Sequence, residues 1–555
     1  MSLKTSRLNR FDFWTLITIV GYVIVIFLLI LPLFNIFKAS FIDKETGALS
    51  LSNYREFFSK SYYTSAIPNS LLVSFGGTLG ALIFGIPLAY FTSRYKIWGK
   101  TLLATLAVLS LLSPPFIGAY AWIMMLGKKG FLRLFLLSFG IELPSIFGPG
   151  GIILVYTLQY YPFVFLLTSG ALMTVDRSLE EAAENLGASS LRKFFRVTLP
   201  LVLPSLSAGA LIAFMMSLAN FGTPMILGRR FRVLPTMAYN LYTSEIGENP
   251  GLASTVSILL ILVSTLVLFF QRYAATRRKY SSALINRPVV KSLQGLKNVG
   301  AHLICYLIVF ISTLPLAVVM IFSFRKTKGP VFHPGFALQS YRKIFHDVPK
   351  TITNSILFSV SAVILIVVVG TLLGFVLSRK RNLPAKFLDP LLMIPYIVPG
   401  TVLGIGFIVA FNRKPIYLVG TSAIIILSYF IRRLPYSVRS SASILRQIDP
   451  SLEEAGINLG SPPGRTFRKV TLPLMMPGII SGAIMSWVTA INELSSSIVL
   501  YVGNTMTMPV RIYLSVLDGL FGTASALATI LLVATGLALF IVNQFLGMGR
   551  ESLVG

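Results

Sequence analysis

Few side chains in this 555-residue sequence can do chemistry, and their spacing rules most of it out. Gly99-Lys100-Thr101 ends like a phosphate-binding loop, but the glycine required five residues before Gly99 is Arg94, and no strand precedes it. The chain therefore offers a nucleotide no backbone cradle, and no hydrolytic activity is expected of it. Cys305 is the single cysteine and stands in an apolar run, which excludes an intrachain disulfide and a thiolate metal cluster. His302, His333 and His346 lack ligand spacing, and solvated loop positions are expected for the last two. No catalytic or metal-ligating residue is predicted. Carboxylates are nearly absent from the apolar runs. Glu493 is the exception, and its counterpart in the repeat described next is Asn220. Ionisable residues within a membrane mark pathways by default, which makes Asn220 and Glu493 the pathway candidates; an interfacial acid reaching water is the competing reading.

The acids gather instead in a polar segment that is written twice. Ser178–Pro200 reads SLEEAAENLGASSLRKFFRVTLP and Ser451–Pro473 reads SLEEAGINLGSPPGRTFRKVTLP, aligned without a gap and identical at 14 of 23 positions. Such self-similarity marks a duplication. Ser178 with Glu181, and Ser451 with Glu454, have the spacing of a capping box. Each copy is expected to form a short helix, about Leu179–Leu186 in the first, closed by Gly187 or Gly460 in the left-handed conformation. A second helix is expected from about Ser189, or from Pro462-Pro463 where proline suits a first turn, stopping before Pro200 or Pro473. A lone polar loop between apolar runs usually lies on the membrane surface. Two copies at matching places suit a two-fold symmetric partner with one groove for each.

The elements that must position these residues follow from composition. The chain is 55% hydrophobic and 12% charged, against about 25% charged for a soluble domain. Its apolar runs exceed the roughly 18 residues that mark a spanning helix. About twelve spans are expected, among them Trp14–Phe37, Thr101–Leu126, Leu388–Phe411 and Pro415–Ile431, with Phe131–Phe139 read as interfacial. The basic start (Lys4, Arg7, Arg10) precedes an apolar run too long for a signal peptide, so an uncleaved first helix is expected. Outside the polar segments, Asn69-Ser70-Leu71-Leu72 matches Asn354-Ser355-Ile356-Leu357, and Ser93-Arg94 matches Ser378-Arg379.

The expected fold is therefore an all-α polytopic membrane protein of two homologous six-helix halves, 1–280 and 299–555, joined by a cytoplasmic linker, 281–298. Parallel repeats imply a pseudo-two-fold axis along the membrane normal, with a pathway between the halves. Pro114 and Pro399 are read as breaks in their spans, and Gly76/Gly80 and Gly400/Gly404 as close helix contacts. Placing both termini in the cytoplasm puts about 29 of the 48 basic residues on that side. The net charge of +29 is scattered over short loops, which points to anionic lipid headgroups and away from nucleic acid.

These residues carry a resemblance. Glu181-Ala182-Ala183, Gly187 and Val197-Thr198-Leu199-Pro200 resemble the EAA signature of binding-protein-dependent ABC importer permeases. The second copy, Glu454-Ala455-Gly456, Gly460 and Val470-Thr471-Leu472-Pro473, departs from it with Gly for the third residue and Val for the usual Ile. The resemblance covers nearly the whole chain. It implies a type I importer permease fold in the bacterial inner (plasma) membrane, two copies of a separate ABC ATPase that bind ATP and Mg, and an extracytoplasmic substrate-binding protein. No cofactor is expected on this chain. It also implies ATPase-coupling roles for Glu180, Glu181, Ala182, Ala183 and Gly187, and for Glu453, Glu454, Ala455, Gly456 and Gly460. Glu181 and Glu454 would be polar contacts, the glycines the turns, and Ala182 and Ala455 the points of close approach.

The fused, double-length form narrows the resemblance. With Asn220-Phe221-Gly222-Thr223-Pro224, Phe231-Arg232-Val233-Leu234-Pro235-Thr236 and Asn492-Glu493-Leu494-Ser495-Ser496-Ser497, it is similar to the ferric-iron permeases, with thiamine and aminoethylphosphonate permeases as near relatives. So few carboxylates make no ligand cage for a bare ferric ion. Either the site is transient or the ion crosses as a chelate. An ion-coupled secondary carrier also has parallel repeats, but it needs buried acidic or histidine relays that these runs lack.

Overall fold

The computed structural model describes residues 13–243, 249–276, 290–380 and 382–545. The basic N-terminal residues Lys4, Arg7 and Arg10, and the first half of the 281–298 linker, 281–289, lie outside these. Among the described residues nine helices are long and apolar enough to cross a membrane, or eleven if each of two bent pairs is one span. The expected twelfth, Pro415–Ile431, is displaced. Asn412–Arg413 pairs with Ile416–Tyr417 as a short hairpin, and the helix starts at Ser422 and runs on to Gln447. It carries Arg432, Arg433, Arg439 and Arg446, so its polar half hides it from any count based on apolar length. A second hairpin, Arg325–Lys328 with Val331–Phe336, completes the small strand content.

Both proline breaks are present. Ser113 and Pro114 are extended, as the residue before a proline tends to be, and the helix arms Lys100–Leu111 and Pro115–Leu137 meet at 98°. The expected interfacial piece is the end of that second arm, helix Phe131–Leu137. Leu383–Tyr396 and Gly400–Phe411 are likewise separated at Pro399.

The chain forms two compact units. The smaller comprises Met1–Asn35, Ser355–Tyr396 and Gly406–Glu493. Its core joins Trp14 to Phe375, Val376, Ala385, Leu445, Met475 and Ile479. Trp14 stacks on Phe375 at 4.0 Å between ring centroids and meets Phe467 edge-on at 5.1 Å. A Cβ on Gly21 would lie 2.7 Å from Leu373, and one on Gly374 would lie 2.7 Å from Ser441. In lipid, helices gain by close packing rather than by hydrophobic burial, so small residues decide where they meet.

The larger unit comprises Ile36–Asn354, Ile397–Ile405 and Leu494–Gly555. Helices Ala66–Arg94 and Pro149–Leu172 cross along a seam where Gly76, Gly77 and Gly80 leave no room for a Cβ against Ile153, Tyr156 and Thr157. Helix Gly295–Ser323 packs here as well: the Tyr306 hydroxyl donates to the Trp98 carbonyl at 2.8 Å, and Tyr161 and Ser312 share a 2.9 Å hydrogen bond. Each half's first helix thus belongs to the unit built mainly from the other half. The compact units cut across the linear repeat.

Candidate functional site

The two repeated segments have one geometry. Helix Arg177–Asn185 lies in the larger unit and Ser451–Asn458 in the smaller. The capping residue is not the expected serine. Asp176 accepts from the Ser178 amide, and Asp449 accepts from the Ser451 amide, both at 2.9 Å. An aspartate two residues earlier reaches the first free amide before a serine inside the helix can, so the capping box does not form. That amide holds the Asp449 carboxyl below its ordinary value.

At the other end Gly187 (φ +77°) and Gly460 (φ +82°) take the left-handed conformation, as expected. Gly187 donates to the Glu184 carbonyl at 2.9 Å and Ala188 to Ala183 at 3.0 Å. Gly460 to Ile457 at 2.9 Å and Ser461 to Gly456 at 3.1 Å repeat the pair. This is a Schellman closure in both copies. The chain then does not stop at Pro200 or Pro473. It passes through one π-helical turn, Phe194–Thr198 or Phe467–Thr471, straight into helices Leu199–Leu218 and Leu472–Ile491. A proline in the first turn of a helix has no amide to leave unpaired, so it ends nothing there.

The neighbouring glutamates point different ways. Glu180 turns inward, accepting from Arg94 at 2.7 Å and from the Thr198 hydroxyl at 2.9 Å, and Glu453 accepts from Arg379 at 3.0 Å. Glu181, Ala182, Glu454 and Ala455 lie on the exposed side, with Ala183 half-buried. Gly456 packs on Thr466, where a Cβ would come within 2.9 Å of the methyl, which accounts for the glycine in place of Ala183. Lys193 pairs with Glu184, and its ammonium holds that carboxyl below its ordinary value. Lys291 joins the same carboxylate at 3.5 Å while its backbone pairs with Arg94 and Lys96. Leu186 and Leu459, each 89% exposed beside the turn glycines, are the residues sequence reasoning passed over. Their identity in both copies was the available signal.

The pathway candidates sit at the far ends of the following helices. Asn220 donates to the Tyr160 hydroxyl at 2.8 Å. Glu493, 4% exposed, is held by Arg432 and Arg433 together. The expected span Pro415–Ile431 stops just short of both arginines, which the helix Ser422–Gln447 includes. Among the described residues no group of three or more His, Cys, Asp or Glu could hold a metal ion.

A family model described as "Binding-protein-dependent transport system inner membrane component" matches residues 81–280 and 366–548. The "Ferric transport system permease protein FbpB" of Actinobacillus pleuropneumoniae is 29% identical over 551 residues, 96% of this chain and 78% of that protein. The "Spermidine/putrescine transport system permease protein PotB" of Haemophilus influenzae is 30% identical over 298 residues, 51% of this chain and 97% of that protein. Among solved structures, a bacterial ABC transporter involved in the import of the acidic polysaccharide alginate aligns with a TM-score of 0.39 at 19% identity, over 48% of this chain and 96% of that one.

Proposed function

This chain belongs to the family of binding-protein-dependent transport system inner membrane components, and on that premise we propose that it is the fused permease of an ATP-driven importer of ferric iron. It is a multi-pass transport subunit and not an enzyme. Two copies of a separate ATPase, with their ATP and Mg, dock on the repeated segments, and an extracytoplasmic binding protein delivers the solute. Both termini face the cytoplasm. Residues 1–280 and 299–555 act as the two permease halves on either side of the 281–298 linker.

The observation that carries the coupling reading is the duplicated geometry. Each copy is a short helix, capped by aspartate, closed by a left-handed glycine and rooted by a partly buried arginine–glutamate pair, with a nearly bare leucine at its tip. A leucine exposed in this way at equivalent places fits an apolar groove on a partner. Glu181, Glu454, Ala182 and Ala455 share that exposed side. Gly187 and Gly460 shape the turn, while Glu180, Glu453, Ala183 and Gly456 tie the segment to its own unit. The iron reading is supported by relatives that match over nearly the full chain and carry ferric transport in their names. The polyamine relative matches half of it.

The test is uptake of radiolabelled ferric iron in cells with and without this chain, with thiamine and spermidine run in parallel. Iron uptake that falls alone upholds the reading; iron uptake that is unchanged overturns the substrate and leaves the importer architecture. Copurification of an ATPase, lost when Leu186 and Leu459 are both replaced by Glu, checks the docking surface.

A further inference from the structure

In the register of the repeated segments, Gln159, Tyr160, Pro162 and Asn220 of the first half correspond to Arg432, Arg433, Pro435 and Glu493 of the second. The first set is neutral and closed on itself. Gln159 donates to the carbonyls of Ser110, Leu111 and Ser113 at 2.7–3.1 Å, and Asn220 spends its amide on Tyr160 and on the Thr223 amide. The second set is charged and unbalanced. Two guanidinium groups share one carboxylate, which leaves one positive charge. Among the described residues Glu493 is the single carboxylate paired with either arginine. The Nε–H groups of Arg432 and Arg433 are buried without a hydrogen-bond partner.

Depth and access complete the picture. Arg432 stands fifteen residues from Gln447 at the end of helix Ser422–Gln447, so it is about 22 Å along the helix from the repeated segment. Its partner Glu493 stands just past the end of the 20-residue helix Leu472–Ile491. Arg432, Tyr436, Arg439 and Arg446 share one helical face, along which exposure rises from 13% at Arg432 to 43% at Arg439. An exposed arginine on such a face is costly in lipid and favours water. A buried pair of planar forks with spare N–H groups is a receptor for an oxyanion, and a net positive site repels a bare trivalent cation.

We infer that Arg432 and Arg433 form an oxyanion site, with Glu493 as the resident carboxylate that a passing oxyanion replaces. Resting on the ferric-iron reading, the consequence is that the ferric ion passes this point with its oxyanion ligands attached. Glu493 serves as a counter-ion and not as an iron ligand.

Two measurements test this. The first is equilibrium binding of radiolabelled inorganic phosphate to the purified full chain in nanodiscs. Glu493→Gln removes the competing carboxylate and should tighten binding by about tenfold or more. Arg432→Gln/Arg433→Gln should abolish it, and Arg432→Lys/Arg433→Lys should retain part. If the double Gln variant does not fold, the gain in Glu493→Gln decides alone. The second is uptake by the complete transporter in proteoliposomes, with iron and its oxyanion ligand, phosphate or citrate, carrying different labels. The ligand label should enter with iron and stay out when iron is omitted; entry without iron would show the oxyanion itself as cargo, leaving the site standing and the iron reading fallen. Phosphate binding no tighter in Glu493→Gln, or iron entering without the ligand label, would overturn the oxyanion site while the iron reading stands. Iron uptake abolished by Glu493→Gln with no gain in phosphate binding would make Glu493 a cation ligand, the opposite of what is inferred.

Discussion

Replacing Gly187 and Gly460 separates backbone strain from crowding, because a Cβ at either position would meet nothing within 4 Å. The whole penalty then comes from φ values of +77° and +82°. An L-residue in that region costs about 1–2 kcal/mol, which shifts a local equilibrium roughly 5–30-fold. The helices they close span nine and eight residues, below the roughly 12–15 at which an isolated helix persists, so each relies on its caps. Asn tolerates the left-handed region and Val does so worst. The expected order for coupled transport is therefore Gly, then Asn, then Ala, then Val. The assay is transport per ATP hydrolysed by the reconstituted permease, ATPase and binding protein, with thermal midpoints measured alongside. Gly47 provides the control: it has φ +66°, equally open space and a place outside the repeated segments. Gly47→Val should leave coupling intact. Equal behaviour of Asn and Val at Gly187 and Gly460, or equal loss of coupling from Gly47→Val, would refute the reasoning.

Other outcomes follow from the same geometry. Arg94→Ala strands Glu180 with Thr198 alone; with side chains 7% and 16% exposed, the broken pair should cost about 2–4 kcal/mol after allowing for partial solvation, read as a lower thermal midpoint, and Glu180→Gln should cost less. Gly456→Ala presses on Thr466 and should cost about 1–3 kcal/mol, with Thr466→Ser restoring part of it; unchanged stability would show that the helix shifts freely. Asp176→Ala removes a cap and should cost about 0.5–2 kcal/mol, seen as faster amide exchange at Ser178. Asp449 has a lowered carboxyl pKa in the folded chain, so its support for the Ser451 amide is present above the ordinary carboxylate range and is lost as pH falls through the lowered value. The protection of the Ser451 amide, relative to its intrinsic exchange rate, should accordingly stay constant near neutral pH and fall only in acid.

The sequence by itself determined what depends on neighbours a few residues apart. The left-handed turns at Gly187 and Gly460 close on carbonyls three and five residues back, and the breaks at Pro114 and Pro399 need only the proline ring. Duplication made both legible twice. Even locally, competition between donors and acceptors of similar reach was not legible, since Asp176 and Asp449 took the caps assigned to Ser178 and Ser451. One step of helical phase, about 100°, turned Glu180 to Arg94 and left Glu181 outside, and which of the two faces inward depends on where Arg94 stands.

Tertiary structure alone decided the rest. Glu493 lies sixty residues from Arg433, and no spacing rule links them. A charged pair there read as the end of a span, because an unpaired arginine in hydrocarbon is costly; paired with Glu493 it continues the helix to Gln447. The exchange of first helices was equally hidden. Trp14 sits in an apolar run that would suit any lipid-facing helix, and only its fit against Phe375 and Phe467, with Gly21 closing on Leu373, picks its place. Among helices equally at home in lipid, shape complementarity chooses the neighbour, and shape is a property of two surfaces that one stretch of sequence does not contain.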